Sequence, residues 1–482
     1  MREAYAAALI RELEVRARAA AVTGEACLPE AQAEKAGTAS AGTVPAGSVT
    51  AGPVIPKPVI ETVYFGGGTP SVMETELIDA VMEAVRANFD LAPHAEITIE
   101  ANPGTLGSSE AEILEKLRAY RAIGFNRLSM GVQSMDDERL GFLGRIHTSG
   151  DVRRDVKLAR QAGFDNINLD LIFSVPGESG NDALRDAEAL IALVPEHISC
   201  YSLQLEEGTP FYMMAESGEI SEVSDEADRA TYHMICDLLR NAGYEHYEIS
   251  NFAKMPDGEG SAERAAGFDG SSISAETFSP FRSRHNSMYW DMSDYIGAGL
   301  GASGFTDGVR YKNISDMKEY IAAFGGTASS RSYYSDNCTG EESRAGDAAE
   351  ETHLPSLEYR VNTAFDNISE AVFTGLRRRD GISFREAIEA YWRATDDGAF
   401  VSKAGNTADD KHIRSAQADT DSKAADNITD KEYSRLFWNI FADSCREAHE
   451  YEQGGLLLID DRGLRLTERG IDISNGIMSL FV

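Results

Sequence analysis

Cysteine is scarce in this 482-residue chain. The five are Cys27, Cys200, Cys236, Cys338 and Cys445, and no two lie within four residues of each other. That spacing excludes a C-x2-C or C-x3-C metal knuckle. The odd count and wide separation suit free thiols in a reducing cytosol, so a cytoplasmic location is expected. Also lacking is any run of 18 apolar residues, so no membrane-spanning helix is expected, and membrane contact would be peripheral at most. The opening MREAYAAALIRELEVRARAAA is charged throughout and has no apolar secretory core; it reads as an amphipathic helix. Basic residues are outnumbered, 45 Lys+Arg against 79 Asp+Glu, for a formal charge of −34. So acidic a chain repels a phosphate backbone, and nucleic acid is not expected as a partner.

Hydrophobic residues make up 42%, enough for a sizeable core, and the length allows two or three domains. Four segments are too polar or too small-sided to bury much surface: 22–58, 254–281, 326–354 and 402–431. They read as disordered insertions. Between them strand and helix patterns alternate. Strand runs are TVYFGGG (62–68), EITIEANP (96–103), NRLSMGVQS (126–134), NINLDLIFSVPG (166–177) and HISCYSLQLEEG (197–208). Helical patterns separate them, and Gly124 and Gly163 stand where helices stop. This rhythm predicts a parallel sheet with helical crossovers, hence an α/β barrel over 59–253. Residues 1–21 form its first helix, with no strand in front. A barrel that opens on a helix leaves the preceding strand position empty, so the first strand is expected to be missing.

Side chains alternate faces along a strand. One parity gives Thr98, Glu100 and Asn102; then Arg127, Ser129 and Gln133; then Asn166, Asn168 and Asp170; then Ser202, Gln204 and Glu206. The helix-covered face of a parallel sheet should be apolar, so these polar faces are expected to line the lumen. Buried polar groups need partners. Either a polar ligand or a self-satisfied network would supply them. Gly66-Gly67-Gly68-Thr69-Pro70 follows a strand and lets a ligand approach the backbone. Glu100 and Asp170 suit an ammonium or ribose hydroxyls, Gln133 can donate and accept, and Arg145 offers a fork to a carboxylate. Together they describe an amino-acid-bearing nucleoside. Taken singly, a Gly triplet is often a plain turn, and Arg145 could be a surface ion pair.

The runs VYFGGGTPS, ITIEANPGTL, FNRLSMGVQSMDDERLGFLGRIH, INLDLIFSVPGES and YSLQLEEGTPFY resemble the coproporphyrinogen-oxidase-like branch of the radical SAM superfamily. GYEHYEISNFA (243–253), SRHNSMYW (283–290) and YIGAGLGASGF (295–305) resemble the HemW heme chaperones. The resemblance covers 1–21, 59–253, 282–325 and 355–482. It implies a partial (β/α)6-type barrel holding S-adenosylmethionine beside a [4Fe–4S] cluster, with Gly67, Gly68, Thr69, Glu100, Gln133, Arg145 and Asp170 contacting S-adenosylmethionine. It also implies a barrel extension over 282–325 in which His285, within HNSMYW, meets heme. A structural histidine is the other reading of His285. EAVFTGLRRRDG (370–381) and LTERGIDISNGIMSLF (466–481) resemble the helical, winged-helix-like domain of this family, placed over 355–482.

One departure stands out. The family opens on a strand carrying Cys-x3-Cys-x2-Cys, three thiolates for three irons; this sequence has no such run, and Cys27 is isolated. A start assigned too late and a true truncation both account for it. The resemblance implies a chaperone that binds heme and passes it to hemoproteins such as respiratory cytochromes or bacterioferritin. The alternative is oxygen-independent coproporphyrinogen III oxidation, and a third reading is a barrel without activity.

Overall fold

The structure, a computed structural model, describes residues 1–25, 57–256, 278–325, 356–393 and 428–482. Most of the four segments read as insertions, with Cys27 and Cys338, lies outside the described residues. Their margins are narrower than expected: the first helix continues to Glu25, and Ser279 is buried and bonded.

In chain order the main elements are α1 (Arg2–Glu25), β1 (Val59–Phe65), α2 (Thr75–Asn88), β2 (Asp90–Ala101), α3 (Glu110–Ile123), β3 (Arg127–Gln133), α4 (Ser149–Gln161), β4 (Ile167–Phe173), α5 (Gly180–Ile191) and β5 (His197–Ser202). There follow α6 (Asp225–Asn241), β6 (Tyr244–Glu248), β7 (Asn251–Lys254), α7 (Arg284–Trp290), β8 (Ser303–Thr306), β9 (Val309–Asn313) and α8 (Met317–Gly325). The last are β10 (Ser356–Val361), α9 (Ala364–Gly375), β11 (Ile382–Ser383), α10 (Phe384–Arg393), α11 (Asp430–Ile440), α12 (Ala442–Gln453), β12 (Leu457–Ile459) and β13 (Gly463–Leu466). These elements form two compact units.

The first unit comprises Met1–Val63, Met73–Glu96 and Asp294–Arg360. In it α1 packs on α2 and α8, and Ala8, Tyr320, Ala323 and Phe324 close a small apolar core. Strands β8 and β9 meet at Asp307-Gly308, both with positive φ, a two-residue hairpin turn. The centre of α1 is not apolar. Glu12 is fully buried and takes four donors: Arg16 Nε (2.7 Å), Asn313 Nδ2 (2.7 Å), the Gly299 amide (2.8 Å) and the Tyr320 hydroxyl (2.6 Å). The Arg16 guanidinium lies 4.0 Å from the centre of the Tyr311 ring and also bonds Asn313 Oδ1.

The second unit comprises Tyr64–Val72, Ile97–Ser293 and Val361–Val482. The seven-stranded sheet runs β1-β2-β3-β4-β5-β7-β6. Strands β2 to β5 pair in parallel, as the alternating pattern predicts. Gly124 (φ 112°) and Gly163 (φ 92°) end α3 and follow α4 in the left-handed region that a side chain would strain. The far end departs from a pure βα repeat. Only Ile249 and Ser250 separate β6 from β7, so β7 must fold back, and it pairs antiparallel with β5.

Register corrects one parity. Asn168 pairs with His197 and Asp170 with Ser199, so β5 turns His197, Ser199 and Tyr201 to the lumen. Ser202, Gln204 and Glu206 do not line it: Ser202 bonds Asp228 on α6, and the strand ends before Gln204. The C-terminal part is mostly helical, with a small antiparallel sheet β11-β13-β12, the layout of a winged-helix-like domain. Its core is aromatic: Phe384, Phe437, Phe441 and Phe481 pack in series at 4.8–5.3 Å, tilted or edge-on to one another.

Breaking a buried ion pair leaves a bare charge, which costs about 3–5 kcal/mol. Glu12→Ala should therefore destabilise the protein by that amount in denaturant unfolding. A loss under about 1 kcal/mol, typical of an exposed pair, would show that Arg16 finds other partners without strain.

Candidate functional site

The site starts where β1 ends. Gly67 (φ 73°) and Gly68 (φ 127°) adopt conformations that a Cβ would strain. Gly66 serves a different need. A Cβ there would lie 2.4 Å from the Tyr64 ring and 2.8 Å from the Glu100 carboxyl, so its absence lets these two side chains meet. The Tyr64 hydroxyl donates to Glu100 Oε1 at 2.7 Å. Thr69 Oγ1 accepts from Asn102 Nδ2 at 2.9 Å and ties the glycine turn to the end of β2.

Strand β3 is shaped for the same purpose. A Cβ on Gly131 would sit 2.5 Å from Asn102 Oδ1 and 2.9 Å from Gln133 Nε2. The register then shifts between Met130 and Gln133, and Gln133 has φ 71°. A non-glycine residue in that region costs of order 1 kcal/mol, a cost that clusters at functional sites.

Six of the seven residues proposed for the nucleoside share one cavity of about 270 Å³: Gly68, Thr69, Glu100, Gln133, Arg145 and Asp170. Gly67 adjoins the turn without lining it. Ala101, Asn102, Ser129 and Gly131 complete the wall. Asn102 and Ser129 stood on the polar parity without being singled out. Tyr64 was missed altogether, although it precedes the glycine triplet by two residues and so shares Gly66's side of the chain.

Burial pushes Asp170 up to about 6; hydrogen bonds, first from Asn168, restrain the rise, and the nearby Glu100 charge adds to it. Burial also lowers Arg145, against the pull of Asp170. The Arg145 Nε is buried with no hydrogen-bond partner. Arg145 also lines the cavity, and a guanidinium there fits an arriving carboxylate. Glu100 and Asp170 on the same wall fit an ammonium or hydroxyls.

Below the cavity Asn168 gathers the polar face into a network, while Thr98 Oγ1 on β2 is buried with no hydrogen-bond partner. Asn168 Nδ2 donates to Ser129 Oγ and Asp170 Oδ1, both at 2.8 Å. Its Oδ1 accepts from Ser199 (3.1 Å) and from His197 Nδ1 (2.6 Å). The bond to the Asp170 carboxylate fixes which end of the Asn168 amide is nitrogen, and so puts the His197 proton on Nδ1. His197 Nε2 then accepts from the Tyr247 hydroxyl at 2.8 Å, whose oxygen receives the Ser283 amide. Burial, with Arg127 nearby, holds His197 well below its ordinary pKa, hence neutral. The self-paired reading of the polar lumen therefore describes Asn168 and its neighbours, and the cavity lies above them.

His285 lies beside this wall. Its ring stacks on Tyr64 at 4.8 Å and 18°, and its Nε2 is 2.8 Å from the Tyr289 hydroxyl. Burial, then the Arg127 charge, lowers His285 to about 4. The imidazole is neutral at pH 7, with Nε2 already engaged. At Trp290 the ring carries the Arg377 guanidinium at 4.6 Å.

A metal cluster does not fit what is described. Among the described residues no three His, Cys, Asp or Glu side chains could hold a metal. Cys200 and Cys236 are buried, and burial raises both thiols, Cys236 to about 12, whereas metal ligation needs thiolates.

Residues 53–190 match the family model of the radical SAM superfamily. The chain is 36% identical over 264 residues to the heme chaperone HemW of Lactococcus lactis, covering 55% of this chain and 62% of that protein. It is 30% identical over 363 residues to the heme chaperone HemW of Bacillus subtilis, covering 74% and 80%. The chain thus spans about three fifths of the first relative and four fifths of the second. Among solved structures, the radical SAM enzyme coproporphyrinogen III oxidase (HemN) of Escherichia coli aligns with a TM-score of 0.59 at 19% identity, covering 88% of this chain and 78% of that one. That likeness concerns the fold: a partial α/β barrel.

Asp170 gives this site a pH signature. Its folded pKa, about 6, lies above the ordinary 3.8, so the folded state holds an extra proton between those values. Its contribution to stability is therefore full at the acid end and is lost as pH rises through about 6. Asp170→Asn keeps an acceptor for Asn168 and should flatten this slope, with a gain of up to about 3 kcal/mol at pH 7.5 in denaturant unfolding. An unchanged slope in the variant would assign the titration elsewhere.

Proposed function

The chain belongs to the HemW family of radical SAM proteins, and on that premise we propose that it is a heme chaperone, binding heme and delivering it to hemoproteins in the cytoplasm. The observation that carries the reading is the contact between the two motif sets: the strand-end cavity and the HNSMYW helix α7 meet where Tyr64 touches both Glu100 and His285.

In this reading the cavity takes S-adenosylmethionine. Arg145 holds the carboxylate through its guanidinium, and Asp170, Glu100 and Gln133 receive the amino group and ribose hydroxyls. The glycine turn at 66–68 admits the ligand to the backbone. When bound, S-adenosylmethionine would bring a sulfonium cation to a wall that carries two carboxylates, Glu100 and Asp170. Beneath it, the side chains of Asn168, His197 and Tyr247 already pair with their neighbours.

Heme is cargo here. A neutral imidazole is a suitable axial ligand for heme iron, and His285 is neutral. To reach iron, its Nε2 must exchange the Tyr289 hydroxyl for the metal. The acceptors are proposed to be hemoproteins such as respiratory cytochromes or bacterioferritin. Among the described residues no helix is long and apolar enough to cross a membrane.

Heme titration followed by absorbance tests the proposal. The expected result is saturable 1:1 binding without porphyrinogen turnover, and His285→Ala should weaken it by about tenfold or more. Turnover of coproporphyrinogen III with no retention of heme would overturn it. Separately, Arg145→Ala should weaken S-adenosylhomocysteine binding by about tenfold or more in calorimetry, the worth of a charged hydrogen bond. Unaltered affinity would remove the carboxylate from Arg145.

A further inference from the structure

Four side chains form an unbroken line from the cavity wall to α7. Glu100 lines the cavity. Tyr64 donates to its carboxylate at 2.7 Å. The other side of the phenol ring lies flat on His285, 4.8 Å between centres and 18° between planes. His285 in turn bonds Tyr289, one turn further along the helix. The line has no slack at its middle. Gly66 has no side chain, and even a methyl there would strike both the Tyr64 ring and the Glu100 carboxyl. Tyr64 therefore cannot move toward the glycine turn when Glu100 moves.

From this geometry we infer that Tyr64 is a positioning residue coupling the occupancy of the cavity to the conformation of the 284–290 helix. The inference rests on the reading of the cavity as a nucleoside site. A ligand ammonium or hydroxyl that engages Glu100 binds a carboxylate that already accepts from the phenol at Oε1, and draws that side chain toward the cavity. Tyr64 then follows its acceptor or releases it, and the ring stacked on it responds. Packed side chains respond by switching between arrangements rather than by stretching, so a small displacement at Glu100 reaches His285. The effect is reciprocal: whatever draws His285 away from Tyr64 changes how firmly Glu100 is held, and with it the affinity of the cavity.

Tyr64 has the chemistry for this part. Burial, reinforced by the Glu100 charge, keeps its hydroxyl protonated at any physiological pH, so it is a permanent donor. A phenylalanine would fill the same space without the bond to Glu100. A purely space-filling Tyr64 would let the two ends behave independently.

The experiment is amide hydrogen exchange over residues 284–290 in the full chain, with and without saturating S-adenosylhomocysteine, its binding followed by calorimetry. In the wild type the ligand should change exchange over that helix by about fivefold or more, the lower end of measured couplings between sites. In Tyr64→Phe, which keeps the ring on His285, the ligand-dependent change should vanish although the ligand still binds. Persistence of the change in Tyr64→Phe would overturn Tyr64 as the link. The wild-type comparison needs no variant: S-adenosylhomocysteine bound with no change over 284–290 overturns the coupling and leaves the cavity reading intact. Absence of binding overturns both.

Discussion

A parallel sheet covered by helices sends one set of side chains outward into an apolar layer and the other into an enclosed lumen. In this protein the inward set is polar, and a polar group removed from water must be paired. Asn168 is where the pairing converges. One amide joins β3 through Ser129, β5 through Ser199 and His197, and its own strand through Asp170. The cavity exists because this network stops one layer short of the strand ends. Above it stand a raised carboxyl at Asp170 and a guanidinium with an orphaned N–H at Arg145.

Several backbone irregularities border the cavity. Gly66 and Gly131 permit side chains of neighbouring strands to touch, Gly67 and Gly68 turn the chain, and Gln133 holds a left-handed φ. The regular parts of β2 to β4 supply register; the departures aim groups into the cavity. A second buried polar centre, Glu12, works by similar means in the other unit, binding a helix to a glycine-rich loop almost 300 positions later.

Much of this was legible in the sequence, for reasons that can be located. In β2, β3 and β4 one face is polar and the other apolar, so parity alone brought Glu100, Gln133 and Asp170 together. In HISCYS the signal is divided: His197, Ser199 and Tyr201 alternate with Ile198, Cys200 and Ser202, and both sets carry hydroxyls. The charged continuation through Glu206 tipped the reading toward the wrong face, yet it belongs to a loop. The Glu12–Arg16 pair left no mark at all, because a charged residue in an amphipathic helix is normally on its solvent side. The reversal at β7 was hidden by shortness, two turn residues between two brief strands. Tyr64 escaped notice because an aromatic residue at a strand end usually signifies packing.

The fixed orientation of the Asn168 amide, and the single tautomer it imposes on His197, have an electrical consequence. The amide of Asn168, the imidazole of His197 and the phenol of Tyr247 are paired before any ligand arrives. Water around a charged solute must rearrange, and the rearrangement costs free energy; a committed array has already met that cost during folding. The floor of the lumen thus acts as a pre-set solvent, polar enough to face a charged guest and too rigid to follow it.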